Sequence, residues 1–330
     1  MRLDDLLHDG GFHAGLTAGA VALPVVFLFV LLGRRTRRLA GRPVPIAGIA
    51  LVVAALIAIE NARGGVPVSD RLVVGLALLV VGPMVAVLRP SAWTVAIATV
   101  PGAAVVAWAA SLENHVDWVP PLVFVATVIG AALVADFDRA NARAGLGPVL
   151  IAATAFAMYT ALPDTEQIIA VAGAALPIAL LGAPLPLASL GTPGAASCVG
   201  LLAWVAAIGG RARPGSFVGA AACLGVMLVE PPVRRALQRS WHLRPLEPLS
   251  ARTMLIVVLH LGLIAGTSRA AGLETSGAES GALAAIALAG GAIAVVFVLF
   301  PWGRDQRFDR ATAPRGRGAP ARPAARPMRR

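Results

Sequence analysis

The chain has 330 residues, of which 58% are hydrophobic and only 14% charged, and its mean hydropathy is +0.79. A soluble domain carries roughly a quarter charged residues, so this composition excludes a soluble enzyme, a secreted disulfide scaffold and a disordered chain, and names the bilayer as the solvent. Net charge is +11 and all 28 basic residues are Arg; because they flank apolar segments, they report topology and anionic headgroups rather than nucleic acid.

In chain order, eleven apolar segments read as transmembrane helices, at about 14–33, 43–59, 72–88, 92–110, 118–135, 147–163, 167–187, 193–210, 215–230, 253–268 and 282–301. Most reach the ~17–25 residues a helix needs to cross the hydrocarbon. The period-2 alternation of a β-barrel is absent. The first segment is long enough to span and lacks a small-residue cleavage site, so no signal peptide is expected. Arg placement predicts the orientation. With the N-terminus outside, Arg34, Arg35, Arg37, Arg38, Arg42, Arg89, Arg139, Arg143, Arg234, Arg235, Arg239, Arg244, Arg252 and the tail arginines all fall inside. Only Arg2, Arg63, Arg71, Arg211, Arg213 and Arg269 fall outside. The expected fold is therefore an all-α polytopic bundle of about eleven spans, N-terminus outside and C-terminus cytoplasmic. Residues 1–303 form the transmembrane domain. Residues 304–330 form an Arg/Pro-rich tail expected to be disordered near anionic lipid. Exclusive use of Arg suggests a GC-rich bacterial genome and hence the bacterial plasma membrane.

Short loops leave no room for a soluble catalytic domain, so chemistry must sit in loops or in the bundle. The pairs Gly15–Gly19, Gly215–Gly219 and Gly262–Gly266 permit close helix approach. Pro24, Pro83, Pro101, Pro177, Pro184 and Pro186 predict kinks, which transporters and membrane enzymes share. Cys198 and Cys223 fit no metal spacing. His260 lies mid-span, where an ionisable group raises a functional hypothesis; the favoured reading is a neutral imidazole bonded to a neighbouring helix. Glu60, Asp70, Glu113, Asp117, Asp164 and Glu166 read as solvated outer-face charges, with a converging glycosyl-transfer or cation site as the alternative. The run Asp136-Phe137-Asp138-Arg139-Ala140-Asn141 is the most polar helix end. Its carboxylates could hold a Mg²⁺–diphosphate. By spacing alone, pairing of Asp136 or Asp138 with Arg139 or Arg143 is favoured over a metal.

Four inner loops then match one family in order. Arg42-Pro43-Val44-Pro45-Ile46-Ala47-Gly48 resembles a P-x-P-R-x-G-G entry to the second helix. Residues 135–146 resemble N-x-x-N-x-x-D-G-x-D-G-L, with Asp138 at the second Asn and Asn141 at the first Asp. Leu190-Gly191-Thr192-Pro193-Gly194 resembles an M-G-D-x-G turn, and Trp241-His242-Leu243-Arg244-Pro245 stands where D-H-L-H-H is expected. Over residues 15 to 265 or so the chain thus resembles the polyprenyl-phosphate N-acetylhexosamine-1-phosphate transferase superfamily (glycosyltransferase family 4). This group includes the phospho-MurNAc-pentapeptide translocase and the GlcNAc-1-phosphate transferases of cell wall biogenesis.

The resemblance implies a site at Asp138, Asn141 and His242 as catalytic residues, with Asp136, Arg139, Arg143, Gly191, Thr192, Gly194 and Arg244 binding substrate. The implied ligands are undecaprenyl phosphate and a UDP-sugar. Mg²⁺ is the family's metal, but its ligands are missing here. No carboxylate occurs in residues 84–91, where an Asp pair is expected, Thr192 replaces the Asp of the glycine turn, and Ala144 replaces the second Asp of D-G-x-D-G. Without hard anionic oxygens the metal loses its field. No cofactor is therefore expected, unless Asp136 and Asp138 form a relocated Mg²⁺ site. The leading expectation is an inactive relative, a pseudoenzyme that keeps a lipid-binding groove or scaffolds cell-wall enzymes, as a homodimer or with those partners. An active divergent transferase and an unrelated small-molecule transporter are the alternatives.

Overall fold

The computed structural model describes residues 9–35, 43–62, 68–86, 91–161, 166–183, 185–209, 224–238, 250–251, 253–258 and 260. Among these residues the architecture is all-helical, without strands. The helices are α1 (Gly10–Arg35), α2 (Ala47–Asn61), α3 (Asp70–Ala86), α4 (Ala92–Glu113) and α5 (Val119–Asn141), then a 3₁₀ turn at Ala142–Ala144. They continue with α6 (Leu146–Ala161), α7 (Glu166–Leu180), α8 (Thr192–Gly209) and α9 (Gly225–Gln238). Four stretches are long and apolar enough to cross a membrane, namely Gly10–Gly33, Ala92–Glu113, Val119–Ala144 and Thr192–Gly209. The expected spans at 253–268 and 282–301 fall partly or wholly outside the described residues, as do the tail, Cys223, Gly215–Gly219 and Gly262–Gly266.

Local chemistry starts the helices where the sequence permits. The Asp9 carboxylate accepts the Gly11 and Phe12 amides at 2.8 and 3.1 Å, capping α1. Ser91 and Thr94 form a reciprocal capping box on α4. Proline at the start of α5 removes an N–H that would have had no helical partner.

The core is built around α8. Every residue from Pro193 to Ile208 is buried, because α2, α3, α4 and α5 all pack on it. Small residues allow this crowding. A Cβ on Gly48 would come within 2.6 Å of Gly194 Cα, so α2 and α8 cross backbone to backbone. Gly200 receives Leu79 of α3, and Gly130 of α5 receives Val199. The Gly15–Gly19 pair lies against Ala170 and Ala174 of α7. Outward faces are the apolar ones: Val21, Val25 and Leu28 on α1, Val81 and Val85 on α3, and Trp93 and Ile97 on α4 are all exposed. An apolar exterior over a small-residue interior is the arrangement of a membrane protein.

Helix ends differ most from the expected spans at three places, the first being α5, which runs on to Asn141 rather than 135. Helix α7 stops at Leu180 rather than 187, since Pro186 and the tightened turns at Leu181 and Gly182 end the ladder. Helix α9 runs on to Gln238, past Glu230 and through Arg234 and Arg235. At 15 residues each, α2 and α7 measure about 22 Å, less than the ~30 Å hydrocarbon core. Irregular backbone completes that part of the bundle, and it is the basis of the site.

Candidate functional site

Residues 187–191 form a non-helical segment whose Ala188, Ser189, Leu190 and Gly191 are buried. Irregular backbone at such depth is tolerated only when each polar group finds a protein partner. Here each amide does. Leu187 and Ala188 donate to Leu181 O at 2.9 and 3.0 Å. Ser189 donates to Val44 O at 3.0 Å, within a parallel bridge between Val44 and Ala188. In return, Val44 donates to Leu187 O and Ala47 to Ser189 O, each at 3.0 Å. The last two amides go to one side chain: Leu190 N–H to Asp138 Oδ1 at 3.1 Å and Gly191 N–H to Asp138 Oδ2 at 2.9 Å.

Asp138 is thus a tie between the end of α5 and the turn that opens α8. Its residue is 2% exposed, and a Cβ on Gly147 would overlap its Oδ1, so the carboxylate is held on a third side by the start of α6. Gly191 adopts φ 72°, and a Cβ there would lie 2.7 Å from Pro45 Cβ. Glycine is required twice over, by the left-handed backbone and by the contact.

Beside this tie lies a groove of about 510 Å³. Pro43, Pro45 and Ile49 form one wall, and Ser189, Gly191, Thr192 and Pro193 a second. The third carries Ala135, Asp138, Arg139, Ala142 and Arg143, and Met84 of α3 closes it. Three segments separated in sequence, near residues 43–49, 135–143 and 189–193, therefore share one cavity. Asp138, Arg139, Arg143, Gly191 and Thr192 come together there. Gly194 is one turn further along, buried against Gly48. His242 and Arg244 lie outside the described residues.

Asp136 and Asn141 do not line the groove. Asp136 turns to α9, where its Oδ2 accepts Arg234 Nη2 at 3.0 Å and Arg235 Nη2 at 2.9 Å, with Arg139 Nη1 3.9 Å from Oδ1. Arg234 Nε also donates to Glu230 Oε1 at 3.0 Å. Glu230 is 2% exposed, and its Oε2 lacks a hydrogen bond. The Asn141 side chain faces Glu230 while its own Nδ2 donates to Phe137 O at 3.1 Å. Asp136 and Asp138 are therefore committed to different neighbours on different sides of α5, because residues two apart on a helix do not share a face. That is not the geometry of one relocated Mg²⁺ centre. Among the described residues no group of three or more His, Cys, Asp or Glu is placed to hold a metal ion.

Pairing of Asp136 with Arg139 follows the sequence expectation, but the α9 partners were not anticipated. Glu230 and Arg234 stand four apart, the spacing of a helical ion pair, and that was the available signal. Nothing in the sequence indicated that Asp138 would bond to backbone amides more than 50 residues away.

Elsewhere, His260 Nε2 lies 3.4 Å from Thr154 Oγ1, itself bonded to Leu150 O, an interhelical polar contact with α6. Glu60 accepts the Val68 amide at 2.9 Å. Asn114 bridges from the end of α4 to Ala207 O at 2.8 Å. Arg71 sits 4.1 Å above the Trp108 ring. A second cavity, about 200 Å³ and apolar, lies between α5, α6, α8 and Leu224 and Leu228 near the start of α9. No family model matches the chain and no curated protein matches it, so any family reading rests on the motif residues themselves.

Proposed function

We propose that this is a polytopic protein of the bacterial plasma membrane, with about eleven spans and a cytoplasmic C-terminus, that binds a polyprenyl phosphate such as undecaprenyl phosphate without transferring a sugar phosphate onto it. One observation carries the reading. The three described segments that resemble transferase motifs line one groove at the end of the bundle bearing Arg139 and Arg143. A chance resemblance has no reason to bring residues 45, 138 and 192 around the same cavity.

Loss of catalysis follows from the donor set. Sugar-phosphate transfer in the family relies on a metal to neutralise a diphosphate, a contribution of several kcal/mol. Among the described residues the groove offers one carboxylate, already shared between two amides, the hydroxyls of Ser189 and Thr192, two arginines and otherwise apolar residues. These do not fit Mg²⁺. The protein's own contribution is positioning: Asp138 and Gly191 fix the turn at 187–191, and the turn shapes the wall.

The test uses the full chain in nanodiscs, assayed for binding of undecaprenyl phosphate and for transfer from UDP-GlcNAc. Binding without transfer is expected. Transfer activity would make the protein a divergent enzyme, and absence of lipid-phosphate binding would refute the reading. Orientation is checked separately by single cysteines at Arg143 and Asp117, which should label from the cytoplasmic and outer sides respectively.

A further inference from the structure

We propose that the groove holds its phosphate by guanidinium charge alone, with Arg139 and Arg143 in the role that a divalent cation would otherwise fill. The proposal rests on the reading that the ligand carries a phosphate, and it goes further in stating how that phosphate is bound.

Among the described residues Asp138 is the only acid lining the groove, while Arg139 and Arg143 both line it, so these side chains together make the lining net positive. A cation entering would meet two guanidinium groups and a single carboxylate whose oxygens already accept from Leu190 and Gly191. A phosphate entering meets the reverse. Mg²⁺ demands near-octahedral oxygen ligands, and Met84, Ala135 and Ala142 supply none.

Geometry agrees. Arg139 is in the last turn of α5 and Arg143 in the 3₁₀ turn that follows. At four residues apart they occupy neighbouring positions along one side of the chain. Both are exposed. Arg139 reaches Asp136 at 3.9 Å, longer than the 2.9 and 3.0 Å bonds that Arg235 and Arg234 make to the same carboxylate. Asp136 is therefore held mainly from α9, and Arg139 is not its principal partner. No described carboxylate lies within ion-pair distance of Arg143. Two guanidinium forks match a phosphate monoester in charge and in bidentate geometry. The volume of about 510 Å³ is in the range of small-molecule sites and leaves room beyond the phosphate for whatever it is attached to.

The experiment measures binding to the full-length protein in nanodiscs of neutral lipid, with three probes: farnesyl phosphate, inorganic phosphate and UDP-GlcNAc. Each is titrated with Mg²⁺ and with EDTA. Expected is a farnesyl phosphate affinity that changes by less than about twofold on metal removal, and that falls roughly tenfold or more in Arg143→Gln, the loss of a charge-assisted hydrogen bond. Arg143→Lys should recover only part of it, since an ammonium keeps the charge but not the fork. Arg139→Gln should weaken binding similarly; Arg143, exposed and outside the α9 network, keeps the test valid if Arg139→Gln unfolds. Competition by inorganic phosphate would assign recognition to the anion itself, and failure to compete would assign it to the lipid-borne form; either supports the guanidinium cradle. Binding that needs Mg²⁺, or that is indifferent to Arg143→Gln, overturns this proposal alone. Absence of binding by all three probes removes both it and the reading on which it rests.

Discussion

Replacement of Asp138 by Ala is the sharpest test of the fold around the groove. Both carboxylate oxygens accept buried amides, at 3.1 Å from Leu190 and 2.9 Å from Gly191. Among the described residues neither amide has another acceptor. Stranding a buried donor costs about 1–3 kcal/mol, so losing two should destabilise the protein by roughly 2–6 kcal/mol. At ~2–4 °C per kcal/mol for a medium-sized domain, the apparent melting temperature in detergent should fall by on the order of 10 °C. Asp138→Asn keeps one carbonyl acceptor but turns an N–H₂ toward the second amide, so at least half of that loss should remain. Thermal unfolding gives the magnitude, and backbone hydrogen exchange gives the place: the amides of residues 190 and 191 should lose protection before those of α8. A variant that melts with the wild type and keeps slow exchange there would show that Asp138 is not a tie, and would reopen a direct role in ligand or metal binding.

Other perturbations separate the remaining contacts. Gly48→Ala should destabilise by about 1–3 kcal/mol through overpacking, because its Cβ would meet Gly194 at 2.6 Å; Gly10→Ala, with nothing within 4 Å, should be near neutral in the same melt. A double-mutant cycle on Asp136→Ala and Arg234→Ala should return a coupling of about 0.5–3 kcal/mol, and a value of zero would show that the bond at 3.0 Å does not hold α9 to α5. In a Cys223→Ala background, the buried Cys198 should resist maleimide in the folded protein and react as it unfolds; rapid labelling under native conditions would contradict the packing of α8 against α2.

How much of this was legible in the sequence differs by feature. Apart from the C-terminal ends of α5 and α7, the first eight helices could be read within a few residues, because apolar length and Gly, Pro and Arg punctuation are local signals. The segment 187–191 was not legible. Its apolar residues continue the hydropathy of α7, and only Pro184 and Pro186 hinted that the helix ends early. Nor were its partners, since a parallel bridge to Val44 and a carboxylate on α5 are contacts between distant parts of the chain.

By itself the sequence determined the solvent and the building blocks: a bilayer, and apolar rods punctuated by arginine. Those follow from composition and from the length a helix needs to satisfy its own backbone in hydrocarbon. Only tertiary packing decided what Asp136 and Asp138 do. Two carboxylates separated by one residue face opposite ways on a helix, so one is drawn to the arginines of α9 and the other to amides that no helix could satisfy. The burial of a non-helical turn, and the need to give each of its N–H groups an acceptor, turned a motif aspartate into a structural tie and left the groove beside it to its arginines.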